Sequence, residues 1–158
     1  MSTKNDDVID TLNDLIETCK DGEDGFQAAA RRVGSDGDSD LRALLDIYAL
    51  QRAGFRAELQ NEVLRRGGEP ENSGHVSASL RRGWLEARSL AAGTDYAAPE
   101  RDSEVLADCE SGEKAALENY ADALKKNLPH DLMEIVENQF EQIRLAHERF
   151  QLLGKALR

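Results

Sequence analysis

Apolar and small residues recur along the first thirty positions in alternating steps of four and three: Val8, Leu12, Leu15, Cys19, Gly22, Phe26, Ala29 and Val33. That spacing returns to one helix face every two turns and forms the seam of a bundle helix, so it predicts a helix over about 5–33. A second line, Ile9, Ile16, Glu23 and Ala30, runs beside the first at intervals of seven. Glu23 therefore stands where an apolar residue belongs. The next seam, Leu41, Leu44, Leu45, Tyr48, Arg52, Phe55, Leu59 and Val63, predicts a helix over about 40–66 that stops at Gly67-Gly68. Arg52 interrupts it as Glu23 interrupts the first.

Between these helices, Gly34 to Ser39 reads as a turn, with Asp38 or Ser39 able to cap the second helix. Asp36, Asp38 and Asp40 alternate as at the start of a calcium loop, but Leu41 and Ile47 stand where its glycine and glutamate belong. Calcium is set aside on that ground. From Gly68 to Glu100 the texture changes. A polar stretch, Glu-Pro-Glu-Asn-Ser-Gly, precedes Val76, Leu80, Trp84, Ala87 and Leu90 at helical spacing, and Gly93, Thr94 and Pro99 follow. We read a crossover carrying one short helix, about 74–92, with Trp84 plugging the bundle.

The pattern then repeats. Cys19-Lys20-Asp21-Gly22-Glu23 returns ninety residues later as Cys109-Glu110-Ser111-Gly112-Glu113. A third helix, about 101–128, carries Val105, Cys109, Gly112, Ala116 and Ala123 on one line and Leu106, Glu113 and Tyr120 on the other, and Pro129 closes it. A fourth, about 130–157, matches the second at an offset of 91: Leu41 with Leu132, Tyr48 with Gln139, Arg52 with Ile143 and Leu59 with Phe150. The expected fold is all-α, one domain over 1–158, built from a duplicated helical hairpin. Adjacent antiparallel neighbours need only short links. The long link after the second helix fits a third helix that starts at the far end of the bundle, roughly 40 Å away at 1.5 Å per residue.

Composition supports the helical reading and narrows the partners. Apolar residues make up 40% and charged residues 32%, with three prolines and few aromatics. The formal charge of −11 argues against nucleic acid and anionic membrane surfaces, which need a basic face. The pairs Arg65-Arg66 and Arg81-Arg82 read as solvated helix faces. The polar, acidic start carries no apolar leader segment and no apolar run reaches the ~20 residues that span a bilayer, so a cytoplasmic location is expected. There the two cysteines are reduced thiols, read as small buried hydrophobes.

In a hairpin, residues equally distant from the turn lie level. Counting from the turns places Glu23 within a turn of Tyr48 and Arg52, and Glu113 between Gln139 and His147. The predicted interior thus holds Glu23, Glu113, Arg52, Tyr48, Gln139 and His147. Buried carboxylates are tolerated when paired with cations or when they coordinate a metal. Dimetal bundles take a Glu from each of two helices and Glu-x-x-His from each of the other two. Glu23 and Glu113 fit the single glutamates, but Arg144 stands three residues before His147, and the second helix has no histidine. Two readings stand: a polar core in which Arg52 satisfies a glutamate, and an iron or manganese site at Glu23, Glu113 and His147. Gly22 and Gly112 mark a close approach of backbones or a bulge. His75 and His130 lie near helix starts, exposed. No catalytic residues are assigned, since no nucleophile–base pair or phosphate loop is present.

With the repeat in view, the sequence resembles the bacterial ferritin-like four-helix-bundle proteins of unknown function. The resemblance rests on Val8 through Ile16, both Cys-x-x-Gly-Glu blocks, Gly83-Trp84-Leu85, and Gln139 through His147. It covers nearly the whole chain and implies a ferritin-like bundle with one long crossover, and an association with stress responses. It implies no reaction, because one fold hosts many functions. The expectation is a non-catalytic protein without cofactor, acting through binding or assembly, either as a homo-oligomer or with a protein partner. A metal-binding or oxidase-like carboxylate protein is the alternative.

Overall fold

The computed structural model describes residues 3–33, 39–71 and 102–157. Among these the chain forms four helices and no strand: α1 (Lys4–Arg32), α2 (Ser39–Arg65), α3 (Asp102–Leu124) and α4 (His130–Ala156). The short helix expected over about 74–92, with Trp84, and the turn at 34–38 lie outside the described residues.

The helix ends follow from local chemistry. Thr3 caps α1 through a reciprocal box in which its hydroxyl accepts from the Asp6 amide and the Asp6 carboxylate accepts from the Thr3 amide. At the end of α2, Gly67 adopts φ of 81°, a conformation that a Cβ would strain. The Gly68 amide then reaches the Val63 carbonyl and the Gly67 amide the Leu64 carbonyl, which satisfies two otherwise orphaned acceptors. The third helix stops four residues short of the expected 128. The Lys125 amide is shared between the Ala121 and Asp122 carbonyls, a tightening that ends the α-helical ladder. Leu128, forced off the helical region by the following proline, is buried in the core instead.

Side-chain contacts give the helix directions. Thr18 meets Asn119 and Arg32 meets Asp108, so α1 and α3 run antiparallel. Gln51 meets Gln142, Gln139 meets Glu58 and Arg66 meets Asp131, so α2 and α4 also run antiparallel. Since each hairpin is itself antiparallel, α2 and α3 are parallel and diagonal, and their link joins opposite ends of the bundle. Gln51 and Gln142 occupy equivalent positions of the two repeats and touch at 3.3 Å. Residues that meet their own counterparts sit on the axis relating the two hairpins.

The core is divided. One cluster gathers Leu12, Leu15, Cys19, Phe55, Leu59, Tyr120, Leu132 and Val136, and the other Phe26, Ala29, Leu45, Tyr48, Leu106, Cys109 and Phe150. Each helix contributes to both, and on α1, α2 and α3 the break falls at Gly22, Arg52, and Gly112-Glu113. A polar layer separates two apolar halves. Among the described residues no helix is long and apolar enough to cross a membrane.

Candidate functional site

The layer is centred on one ion pair. The Arg52 guanidinium donates from Nη1 and Nη2 to the two carboxylate oxygens of Glu113, at 2.5 and 2.6 Å. Both side chains are 1% exposed. Because α2 and α3 are diagonal, the pair passes through the middle of the bundle. Arg52 is held from above and below by the Phe26 and Phe55 rings, whose centroids lie 5.2 and 5.9 Å from its central carbon, an arrangement that offsets part of the cost of burying a cation. Burial acts to lower the proton affinity of the guanidinium, and the Glu113 charge and hydrogen bonds more than restore it. Gly22 supplies the room: a Cβ there would sit 3.3 Å from the Arg52 Cγ. The mid-helix glycine is thus a close approach of backbone to an arginine stem rather than of backbone to backbone.

Glu23 sits one residue further round α1 and meets a different arginine, with 14% of its side chain exposed. It is half-buried and accepts at 2.7 Å from Arg56 Nη2, one turn past Arg52. The two glutamates of the repeat therefore each have their own arginine. His147 is half-buried on α4. Tyr48 packs its ring against both Phe26 and Phe150, with centroids 5.7 and 5.3 Å away. Among the described residues no group of three or more His, Cys, Asp or Glu side chains converges.

A second buried network joins all four helices. The Tyr120 hydroxyl donates to Gln139 Oε1 at 2.7 Å, and Gln139 Nε2 donates to the Glu58 carboxylate at 2.8 Å and the Phe55 carbonyl at 3.4 Å. With its only proton so used, the Tyr120 oxygen accepts from the Cys19 thiol, 3.0 Å away. Burial pushes the Cys19 thiol up to about 11, and raises the Cys109 thiol and the Tyr120 phenol as well. Neither cysteine has the electropositive, accessible setting of a reactive thiolate. The Asp21 carboxyl is also buried, and its Oδ2 has no hydrogen-bond partner.

A family model described as a domain of unknown function, DUF2383, matches residues 7–126, about three quarters of the chain. The chain belongs to the DUF2383 family. The DUF2383 match takes in Glu23, Arg52, Arg56, Glu113, Cys19 and Tyr120, and ends before Gln139 and His147 on α4. Comparison with curated proteins finds no match.

Four polar members of this DUF2383 core lie outside the sequence expectations: Tyr120, Arg56, Asp21 and Glu58. Tyr120 counted as a seam hydrophobe, although a seam tyrosine must find a partner for its hydroxyl; its signal was Gln139 on the neighbouring seam. Arg56 was legible as a second arginine one turn after Arg52. Asp21 lies off both apolar lines and gave no signal.

Proposed function

We propose that this DUF2383 protein is a cytoplasmic, non-catalytic ferritin-like bundle that acts by binding or assembly in a stress-related setting. The observation that carries the reading is the state of Glu113. Both of its oxygens are engaged by Arg52, so the guanidinium stands where a carboxylate-bound cation would place its charge. Glu23 spends an oxygen on Arg56 instead of joining the central pair. The arrangement supports a core that has exchanged ligand chemistry for internal pairing. The ferritin-like label draws on the parallel, diagonal disposition of α2 and α3, and the stress-related setting on the sequence resemblance alone. The net charge of −11 supports a protein partner rather than nucleic acid or a membrane.

The alternative is an iron- or manganese-dependent, oxidase-like protein at Glu23, Glu113 and His147. It is favoured only by the equivalent placement of Glu23 and Glu113 in the repeat. Elemental analysis and oxygen uptake, measured on the full chain supplied with ferrous or manganous ion, separate the two. The non-catalytic reading expects substoichiometric metal and no uptake. Stoichiometric metal with oxygen consumption, both lost in Glu23→Ala, Glu113→Ala protein, would overturn it.

A further inference from the structure

Opposite its buried seam, α2 carries a second one that faces solvent. Ala43, Ile47, Leu50, Gly54, Ala57, Asn61 and Leu64 recur in steps of four and three, and all are exposed. Ile47 is 59%, Leu50 73% and Leu64 59% exposed. Scattered surface hydrophobes are ordinary, but these form one line about 32 Å long at 1.5 Å per residue, with heptad spacing. No position on that line is charged, in a chain that is 32% charged.

The repeat provides an internal comparison. The equivalent face of α4 reads Asn138, Glu141, Leu145, Glu148 and Leu152, and Arg144 pairs with both glutamates. That face is built for water. Gly54 adds a second oddity. A mid-helix glycine costs about 1 kcal/mol relative to alanine, and a Cβ at 54 would meet nothing within 4 Å. Unlike Gly22, it has no neighbour among the described residues that requires it.

We infer that the outer face of α2 is a self-association surface that takes a second copy of this chain, α2 against α2 in antiparallel orientation about a two-fold axis. In that register Ile47 meets Leu64 of the second copy, Leu50 meets Asn61, and the small Gly54 meets the small Ala57 at the closest approach. The surface is self-complementary, as a two-fold interface must be. Bulk at the ends faces bulk, and the glycine lets the backbones close. Charge selects the same occupant. Two chains of −11 repel unless they meet on a neutral face, and the flanking positions bring together Gln51 with Glu58, Ala53 with Gln60 and Asp46 with Gly67, so no like charges oppose. This deepens the assembly part of the proposed function by giving it a surface. Mass in solution decides this inference, whereas metal content and oxygen uptake decide that reading, so either can fail alone.

The test is light scattering on size-exclusion eluates of the full chain, from low micromolar to submillimolar concentration. Wild-type protein should reach twice the 17.5 kDa chain mass. Ile47→Glu, Leu50→Glu protein should stay at the single-chain mass with unchanged far-UV dichroism, its dissociation constant raised on the order of a hundredfold or more. Leu145→Glu, on the equivalent face of α4, should leave the dimer intact. A mixture of Gly54→Cys and Ala57→Cys chains should crosslink to each other in preference to themselves. A wild-type monomer at every concentration, a dimer lost through Leu145→Glu alone, or preferential self-linking would each overturn the inference.

Discussion

Replacing Glu113 by glutamine tests what the central pair contributes. Glu113→Gln keeps the size of the side chain and removes its charge, leaving the Arg52 guanidinium in place at 1% exposure with no counter-charge. Removing one partner of a buried pair costs roughly 3–5 kcal/mol, because the other charge stays desolvated and uncompensated. The Phe26 and Phe55 faces attract the guanidinium in wild type and variant alike, so they recover none of that cost. A domain of this size holds about 5–15 kcal/mol in all, so the variant should lose a large fraction of its stability. At about 2–4 °C per kcal/mol for chains of this length, melting should drop by about 6–20 °C. The double variant Arg52→Met, Glu113→Leu removes both charges and both desolvation penalties, and should lie close to wild type or above it. Urea unfolding followed by far-UV dichroism, under reducing conditions, on wild type, Arg52→Met, Glu113→Leu and the double variant gives all four corners of the cycle, with Glu113→Gln measured beside them. The reasoning fails if Glu113→Gln stays within about 1 kcal/mol of wild type, or if the double variant is less stable than either single one, for then the pair would not be a desolvated unit.

Other groups of the layer should respond differently. Glu23→Gln, at the Arg56 pair whose side chains are 14% and 27% exposed, should cost about 1–3 kcal/mol by the same urea measurement, less than its repeat equivalent. Burial first, then Asp24 and Glu17, push the Asp21 carboxyl up to about 7 from an ordinary value near 3.8. The folded chain therefore keeps a proton that the unfolded chain releases, and stability present below about pH 4 is lost as pH rises toward 7. Unfolding midpoints at about pH 5 and about pH 8 should show that loss, and Asp21→Asn should reduce it and be the more stable protein at the higher pH. Cys19 and Cys109 should react with a thiol reagent near pH 8 only as fast as the chain opens, so their labelling rate should rise steeply on adding urea while remaining slow in native buffer.

Among the described residues, the order and most boundaries of the four long helices were legible because seams leave a strong periodic trace. The segments expected over 5–33, 40–66 and 130–157 correspond to helices at Lys4–Arg32, Ser39–Arg65 and His130–Ala156. The third helix ends before the stop that Pro129 predicts, because the ladder tightens at Lys125. Arg52 and Glu113 could be singled out as charges on apolar lines. That Arg52 satisfies a glutamate was legible too; which of the two glutamates it meets was not. Counting along a hairpin gives the level of a residue, and Gly22 does lie level with Arg52, but it says nothing of the angle at which the next side chain leaves the helix. One residue is about 100° of rotation, and that step turns Glu23 to Arg56 while Arg52 passes over Gly22 to the diagonal helix.

That geometry explains why the two halves of a duplicated chain differ in the middle. A residue near the axis meets its own counterpart, as Gln51 meets Gln142, so two arginines at the Arg52 position would face each other across a small space. The equivalent of Arg52 is Ile143, fully buried and apolar. One guanidinium therefore fills the centre, and only one glutamate can be drawn in to neutralise it. Glu113 takes that place, and Glu23, though equivalent in sequence, has no second central cation to meet and pairs at the rim with Arg56. Two inward glutamates around a single arginine would leave an excess negative charge in a dry layer, at a cost of several kcal/mol. The asymmetry of the polar layer thus follows from one substitution at the Arg52 and Ile143 positions, and the pairing of Glu23 with Arg56 is its electrostatic consequence.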